Sequence, residues 1–548
     1  MAVPNGEAST LNNESQYLRG WKLFGLTFSL LASLYLVNLE STIISTSLVA
    51  IAEDFQSFNK TSWFVTAYIM TYTGFIVLWN RISDTWGMKG PFISALCIFL
   101  AFSLGCGLAQ TETQLIICRA FQGLGGGGTY TLVMLSVYQL VPQQRLPVWS
   151  GMVAITISLA TLTGPIIGGA LANSDWRWIF YLNLPPGGLI VILLFLSMPG
   201  DFLAAKAVHN KEKVRISPVR FLWDMDILGV LLLSAGSFFL ITVLDETNSQ
   251  FAWSSPTAIV LVVMSAIFWA LFFTWEFYPQ YRKEQFRPLL PKRLLCNAPL
   301  LGILFTSFVV GVPYNTIAVY LPQRFQILMG DTPLVSGLRL VAYTGVTALS
   351  SSIAIVLSTK FQVPFIYILA LSAAFSIIGS VLLSTLPESN YFPAAGYGYE
   401  VLTGCGMGIA YGIAIFAVPY LIDGEDLAEA SGAAVQMRYL GNAIGVAISS
   451  NILNGRFKAK MSGIVGPDMA QRLLQDPDRL KDLTPSIRHS ALQNFAQSYK
   501  AQFQVLIGFG VAQFVITFML WRRKGPQLRP KASPESHESV VSDQDTIA

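Results

Sequence analysis

The sequence predicts an all-α integral membrane protein of fourteen transmembrane helices, built as two six-helix bundles with a two-helix insertion between them. Three observations predict it. Of 548 residues, 53% are hydrophobic and only 12% charged, a balance foreign to soluble globular chains. The apolar residues gather in runs of about 20, the length a helix needs to cross a bilayer. Lys and Arg are confined largely to alternate loops, as the positive-inside rule requires.

Taken in order, six spans are expected near Trp21 to Ile44, Ser62 to Trp79, Pro91 to Ala109, Leu115 to Leu140, Val148 to Ala172 and Trp178 to Ser197. The inserted pair follows near Ile227 to Leu244 and Thr257 to Trp275. The last six lie near Pro299 to Leu321, Leu334 to Leu357, Pro364 to Thr385, Gly398 to Leu421, Ala430 to Ile452 and Phe503 to Trp521. The chain then divides into a cytoplasmic N-terminal tail (1–20), a first bundle (21–197), cytoplasmic loops with the central helix pair (198–298) and a second bundle (299–521). A long outer loop is expected at about 453–502, and a disordered cytoplasmic tail, rich in Ser, Glu and Asp, at 522–548. The polar start lacks a charged leader and cleavage site, so the first span is expected to be an uncleaved anchor.

With Met1 inside, Arg81, Lys89, Arg145, Lys206, Lys211, Arg282, Lys283, Lys360, Arg522 and Arg523 all fall in cytoplasmic segments, whereas the short outer loops hold Lys60, Arg177 and Arg324. Both termini are therefore expected in the cytoplasm. The segment 453–502 breaks the pattern with Arg456, Lys458, Lys460, Arg472 and others, but long loops translocate despite their charge. The net charge of +4 reflects this topology, and no nucleic-acid partner is expected. Cys97, Cys106, Cys118 and Cys405 fall within spans and Cys296 in a cytoplasmic loop, so no disulfide framework can be drawn. His209, His489 and His537 lie in loops or tail, which leaves no histidine cluster for a metal or for buried acid–base chemistry; neither an enzyme nor a metal site is expected. No phosphate-binding Gly-x-x-x-x-Gly-Lys-Ser/Thr loop occurs, so a proton gradient rather than ATP or another cofactor is expected to supply energy.

Two charges interrupt the apolar runs. Arg119 lies in the fourth span within Arg119-Ala-Phe-Gln122-Gly123, followed by Gly125 to Gly128, and Glu40 lies in the first within Asn38-Leu-Glu40-Ser41-Thr42. A charge inside the membrane is costly and marks a protein interior, a water path or a partner. Arg119 and Glu40 are natural partners, and a carboxyl that alternates between a protonated and a paired state would couple proton movement to helix rearrangement. The alternatives are that Arg119 snorkels to the interface near Glu112, and that Glu40 lines a wet rim with Ser45, Thr46 and Ser47. An internal echo relates the halves: Arg119, Gly123, Gly125 and Gly127 share their spacing with Glu400, Gly404, Gly406 and Gly408.

These strings resemble the major facilitator superfamily, and within it the fourteen-span drug:proton antiporters of the fungal multidrug or toxin efflux type, from about Leu23 to Trp521. The loop Asn80-Arg81-Ile-Ser-Asp84-Thr-Trp-Gly87-Met88-Lys89 is similar to the family's cytoplasmic latch, with Asn80 and Met88 departing from it. The Arg119 string resembles the fourth-span motif associated with proton transfer. Gly164-Pro165-Ile-Ile-Gly168-Gly169 resembles the motif of antiporters, with Ala160 in place of its opening glycine. Asp175-Trp-Arg-Trp-Ile-Phe-Tyr-Leu-Asn183-Leu-Pro-Pro-Gly187 is similar to the outer-loop signature of the fourteen-span branch. The resemblance implies a proton-coupled antiporter that exports a small organic compound such as a toxin, drug or secondary metabolite. Carriers of basic amino acids or iron chelates in the plasma or vacuolar membrane are the alternative, and a non-transporting sensor is a third reading. A monomer in the lipid bilayer, in the plasma membrane rather than the vacuolar membrane, is the expected form. Candidate cavity residues are Asn38, Ser41, Gln122, Tyr314, Asn315, Tyr343, Tyr411, Gln436 and Arg438, a polar and aromatic set suited to an amphipathic solute.

Overall fold

The computed structural model describes residues 20–140, 146–198, 226–247, 251–277, 294, 296–388, 391–422 and 427–520. The expected N-terminal tail, most of the central loops and the C-terminal tail lie outside this set. The described residues are overwhelmingly helical and form no named strand. The helices of the first part are α1 (Trp21–Ile43), α2 (Leu48–Phe55), α3 (Thr61–Trp86), α4 (Lys89–Gly107), α5 (Glu112–Leu140), α6 (Leu146–Ala172), α7 (Trp178–Tyr181) and α8 (Leu184–Ser197). The middle pair is α9 (Ile227–Glu246) and α10 (Pro256–Phe277). The last part comprises α11 (Ala298–Arg324), α12 (Pro333–Thr359), α13 (Phe365–Ser384), α14 (Ala394–Phe416), α15 (Val418–Leu421), α16 (Leu427–Val465), α17 (Pro467–Gln475) and α18 (Pro485–Thr517). Ten helical stretches among them are long and apolar enough to cross a membrane. Four further long helices, α3, α5, α14 and α16, carry much of the buried polar and charged chemistry described below.

Glycine spacing explains how these helices pack. On α5, a methyl at Gly123 would lie 2.2 Å from the Tyr68 carbonyl oxygen and one at Gly127 2.4 Å from that of Tyr72, whereas one at Gly125 would meet the Phe99 amide at 2.4 Å. Alternate glycines therefore seat α3 and α4 on opposite sides of α5. On α14 the same spacing recurs: Gly404 and Gly408 face the Tyr343 and Thr347 carbonyls of α12, and Gly406 faces Ser376 of α13. Small residues let the backbones approach where no hydrophobic force between helices is available in lipid. The internal echo thus has a common packing role, although Arg119 and Glu400 themselves sit in different surroundings.

The inserted pair is fastened rather than loose. Its helix α9 packs on α10, α3 and α16. At one end Asp226 caps α9 by accepting from the Gly229 amide (3.1 Å), takes a bond from the Trp275 indole (2.6 Å) and lies within electrostatic reach of Arg81. At the other, Ser62 Oγ donates to Asp245 (2.6 Å), the Trp63 indole donates to Glu246 (2.7 Å), and the Asn451 amide donates to the Thr247 carbonyl (2.6 Å). Only 17% of the most apolar stretch of α10 is buried, against 83% for α11, so α10 lies at the periphery and α11 at the centre.

The structure corrects one expectation. The segment 453–502, expected as a long outer loop, is largely helical: α16 runs on to Val465, α17 folds beneath it and α18 begins at Pro485. Phe457 of α16 and Phe495 of α18 pack at 4.1 Å between ring centroids, and Ala470, Leu473 and Leu474 of α17 are buried. The expected sixth span, Trp178–Ser197, is one apolar stretch long enough to cross a membrane; a short turn separates α7 from α8, and Pro185 and Pro186 stand in the first turn of α8, where the missing amide donors cost nothing.

Candidate functional site

Arg119 and Glu40 meet. The arginine is 1% exposed and the glutamate fully buried, and Nη1 of Arg119 donates to one Glu40 carboxylate oxygen. The Asn183 amide donates to the other oxygen (2.6 Å) and to Ser103 Oγ (3.0 Å). Arg119 Nε donates to the Phe64 carbonyl (3.0 Å), Nη1 donates to Gln122 Oε1 (2.9 Å), and the guanidinium lies 4.4 Å from the centre of the Tyr68 ring. The pair therefore draws on α1, α3, α5 and the α7–α8 junction. It is not a snorkelling arrangement: Glu112 pairs instead with Lys60. Nor is Glu40 on a wet rim, because Ser45, Thr46 and Ser47 are buried. Their neighbours explain why: Thr42, Thr46 and Ser47 donate to the Ala160, Pro165 and Gly168 carbonyls of α6 at 3.2–3.3 Å, zipping the end of α1 to that helix. Asn183 was visible in the sequence only as one letter of a longer signature.

The cavity candidates do not form one set. Gln122 belongs to the ion-pair network, and its amide nitrogen has no partner among the described residues. Asn38 and Ser41 bond to carbonyls of their own helix, Leu34 at 2.8 Å and Asn38 at 2.9 Å. Gln436 faces a cavity bordered by α3 and α9, with Thr73, Leu233 and Ile241. Tyr314, Tyr343, Tyr411 and Arg438 do converge: Tyr314 and Tyr411 stack at 5.1 Å, Tyr343 donates to the Tyr314 carbonyl (3.1 Å), and Arg438 lies 4.3 Å over the Tyr411 ring. Asn315, next along α11, is buried with its amide nitrogen unpartnered. Three residues not singled out from sequence complete this cluster: the Tyr72 ring of α3 packs at a tilt on Tyr439 at 4.3 Å and on Tyr130 of α5 at 6.1 Å. Helices from both parts of the chain thus meet at one aromatic centre.

The motif residues have defined places. Gly87 adopts a φ of 79° at the end of α3, a left-handed conformation in which a side chain would be strained. Arg81 is buried near the inserted pair, and Lys89 donates to the Phe195 carbonyl at the end of α8 (2.8 Å); the side chain of Asp84 lies outside the described residues. Gly164 and Gly168 of α6 abut Thr42 and Ile43 of α1, while a methyl at Gly169 would lie 2.4 Å from the Pro333 carbonyl of α12. In return, a methyl at Gly337 of α12 would lie 2.2 Å from the carbonyl of Pro165. The glycine–proline motif therefore lets α6 and α12 approach closely at this point.

Buried charges held between long apolar helices, with helices of both chain parts converging on a polar and aromatic centre, define a multi-pass membrane transporter of small molecules rather than an enzyme. The family model of the Major Facilitator Superfamily matches residues 29–446, and the chain belongs to that superfamily. It is 31% identical over 535 residues to the MFS-type transporter FPY5 of Fusarium mangiferae, covering 97% of this chain and 89% of that one. It is 29% identical over 460 residues to the efflux pump bfoC of Aspergillus brasiliensis, covering 83% and 78%. Among solved structures, a bacterial homolog of the human lysosomal transporter Spinster superposes with a TM-score of 0.58 at 12% identity, covering 92% of this chain and 97% of that one. A D-xylose-proton symporter does so with a TM-score of 0.53 at 14% identity, covering 84% and 96%. These likenesses identify the fold.

Proposed function

We propose that this protein is a proton-coupled antiporter that exports a small organic compound, a toxin, drug or secondary metabolite, across the plasma membrane. Its fourteen spans form two six-helix bundles and an inserted pair, and both termini face the cytoplasm. The observation that carries the coupling is the sealed Glu40–Arg119 pair, with Asn183 on the second carboxylate oxygen. A carboxylate so held is stable while water is excluded, and taking a proton removes its charge and weakens its hold on Arg119. The two protonation states then favour different packings of α1 against α5, and a bias on such an equilibrium is what coupling requires. The efflux pump bfoC among its relatives supports the direction of transport.

The α6–α12 contact at Gly169 and Gly337 falls, on this topology, at the outer side, and separating it opens the centre outward. One proton supplies about 2.3 kcal/mol per 100 mV and about 1.4 kcal/mol per pH unit, enough for a gradient of a few hundredfold. No cofactor takes part. The test is Glu40→Gln expressed in a strain deleted for the gene, with excreted small molecules profiled as external pH varies. Abundance at the membrane is expected to be unchanged and pH-dependent export to be lost. Undiminished pH-dependent export in that variant removes Glu40 from the mechanism.

A further inference from the structure

Arg438 on α16 is about 2% exposed, and its Nε, Nη1 and Nη2 atoms make no well-formed hydrogen bond among the described residues, with only the Tyr130 hydroxyl in looser polar contact. Among the described residues no carboxylate pairs with it, whereas Arg119, Arg177, Arg339 and Arg479 each have one. Its guanidinium lies mainly against aromatic faces, 4.3 Å from the centre of Tyr411 and 4.9 Å from that of Tyr439, with the Tyr130 hydroxyl as a polar neighbour. The hydroxyls of Tyr72 and Tyr130 likewise make no well-formed hydrogen bond among the described residues, although they lie beside Tyr439 and Arg438. Ring faces offset only part of the cost of keeping a cation out of water, and orphaned buried donors call for a missing acceptor.

Two small, mostly apolar cavities flank this cluster. One is bordered by Tyr130, Ile76 and Val435, the other by Tyr314, Tyr411 and Phe416, and each has about 20 Å³ of free volume, room for roughly one water. The cluster therefore encloses, at the meeting point of the two chain parts, a cation with no carboxylate partner among the described residues.

We propose that Arg438 is the recognition point for the carboxylate of an aromatic organic acid, whose planar body lies among Tyr72, Tyr130, Tyr411 and Tyr439. The guanidinium fork matches a carboxylate with two parallel hydrogen bonds, and the tyrosine rings supply stacking faces and hydroxyl donors. A cationic solute such as a basic amino acid is disfavoured by the same charge. This assignment rests on the transport reading above and names the substrate class for it.

The test uses the purified full-length protein without any ion gradient, so that binding is read apart from proton coupling. Affinities are measured for 2-naphthoate against 2-naphthamide and for 4-phenylbenzoate against its amide, with chloride replaced by gluconate and then restored. Each acid is expected to bind wild type at least about tenfold more tightly than its amide and to raise the melting temperature. Arg438→Gln is expected to abolish that preference, and Arg438→Lys to keep part of it. An acid no better than its amide on wild type, including no binding by either, overturns the proposal even if the variants fail to fold. So does equal stabilisation by chloride alone, or a preference that survives in folded Arg438→Gln. Acid preference without pH-driven flux refutes the coupling and leaves this site standing; pH-driven export without acid preference does the reverse.

Discussion

Glu40 and Arg119 are each costly alone and tolerable together, because removing one partner strands the other in a medium that cannot solvate it. Arg119→Leu is accordingly expected to destabilise the protein by about 3–5 kcal/mol, read as a large fall in melting temperature and in membrane abundance. Glu40→Gln keeps an acceptor for Arg119 and is expected to fall far less, while still losing pH-dependent export. Asn183→Ala removes the bonds to Glu40 and Ser103 and should cost about 1–3 kcal/mol, with thermal unfolding as the check. A melting temperature for Arg119→Leu equal to wild type contradicts the pairing. These two charges could be read from the sequence because a charge within an apolar run is expensive and needs a reason. Asn183, Tyr72, Tyr130 and Tyr439 could not, since neutral polar and aromatic residues are common in membrane helices and only the fold reveals which of them face one another.

Helix-to-helix contacts give sharper expectations for glycines than the motifs themselves do. Gly169→Ala places a methyl against the Pro333 carbonyl and is expected to force α6 from α12, whereas Gly188→Ala, which meets nothing within 4 Å, is expected to be silent. Comparing export and abundance of the two variants checks this. At the C-terminal end of α9, Asp245→Ala leaves Ser62 without its acceptor and should lower the melting temperature more than Asp245→Asn, which retains one. The order and approximate bounds of most long helices followed from hydropathy, and the echo of glycines at matching offsets falls on α5 and α14, where those glycines pack alike. The stretch 453–502 did not, because its charges lower its mean hydropathy. Yet Leu453, Phe457 and Met461, four residues apart and all buried, hold the helical period that extends α16. Cavity membership was also beyond the sequence: Gln436 and Arg438 are two positions apart on one helix, which turns them to different sides.

Across the whole molecule, the proposed exchange requires that the close contact between α6 and α12 part and re-form. At the same end of the molecule, the Gln326 amide donates to the Thr46 carbonyl (2.9 Å), joining the end of α11 to the end of α1. A Thr46→Cys/Gln326→Cys pair, crosslinked by oxidation in a background freed of the native cysteines, is expected to stop export, and reduction to restore it. Export that continues through the crosslink shows that these ends need not separate. The central claim is that solute leaves in exchange for protons through Glu40. It is tested most directly in proteoliposomes by recording solute and proton movement together under an imposed pH gradient. Wild type should move protons only when solute moves the opposite way, and Glu40→Gln should lose the proton movement and the gradient-driven accumulation together. Solute flux that ignores the gradient in wild type, or coupling that survives in Glu40→Gln, contradicts the account.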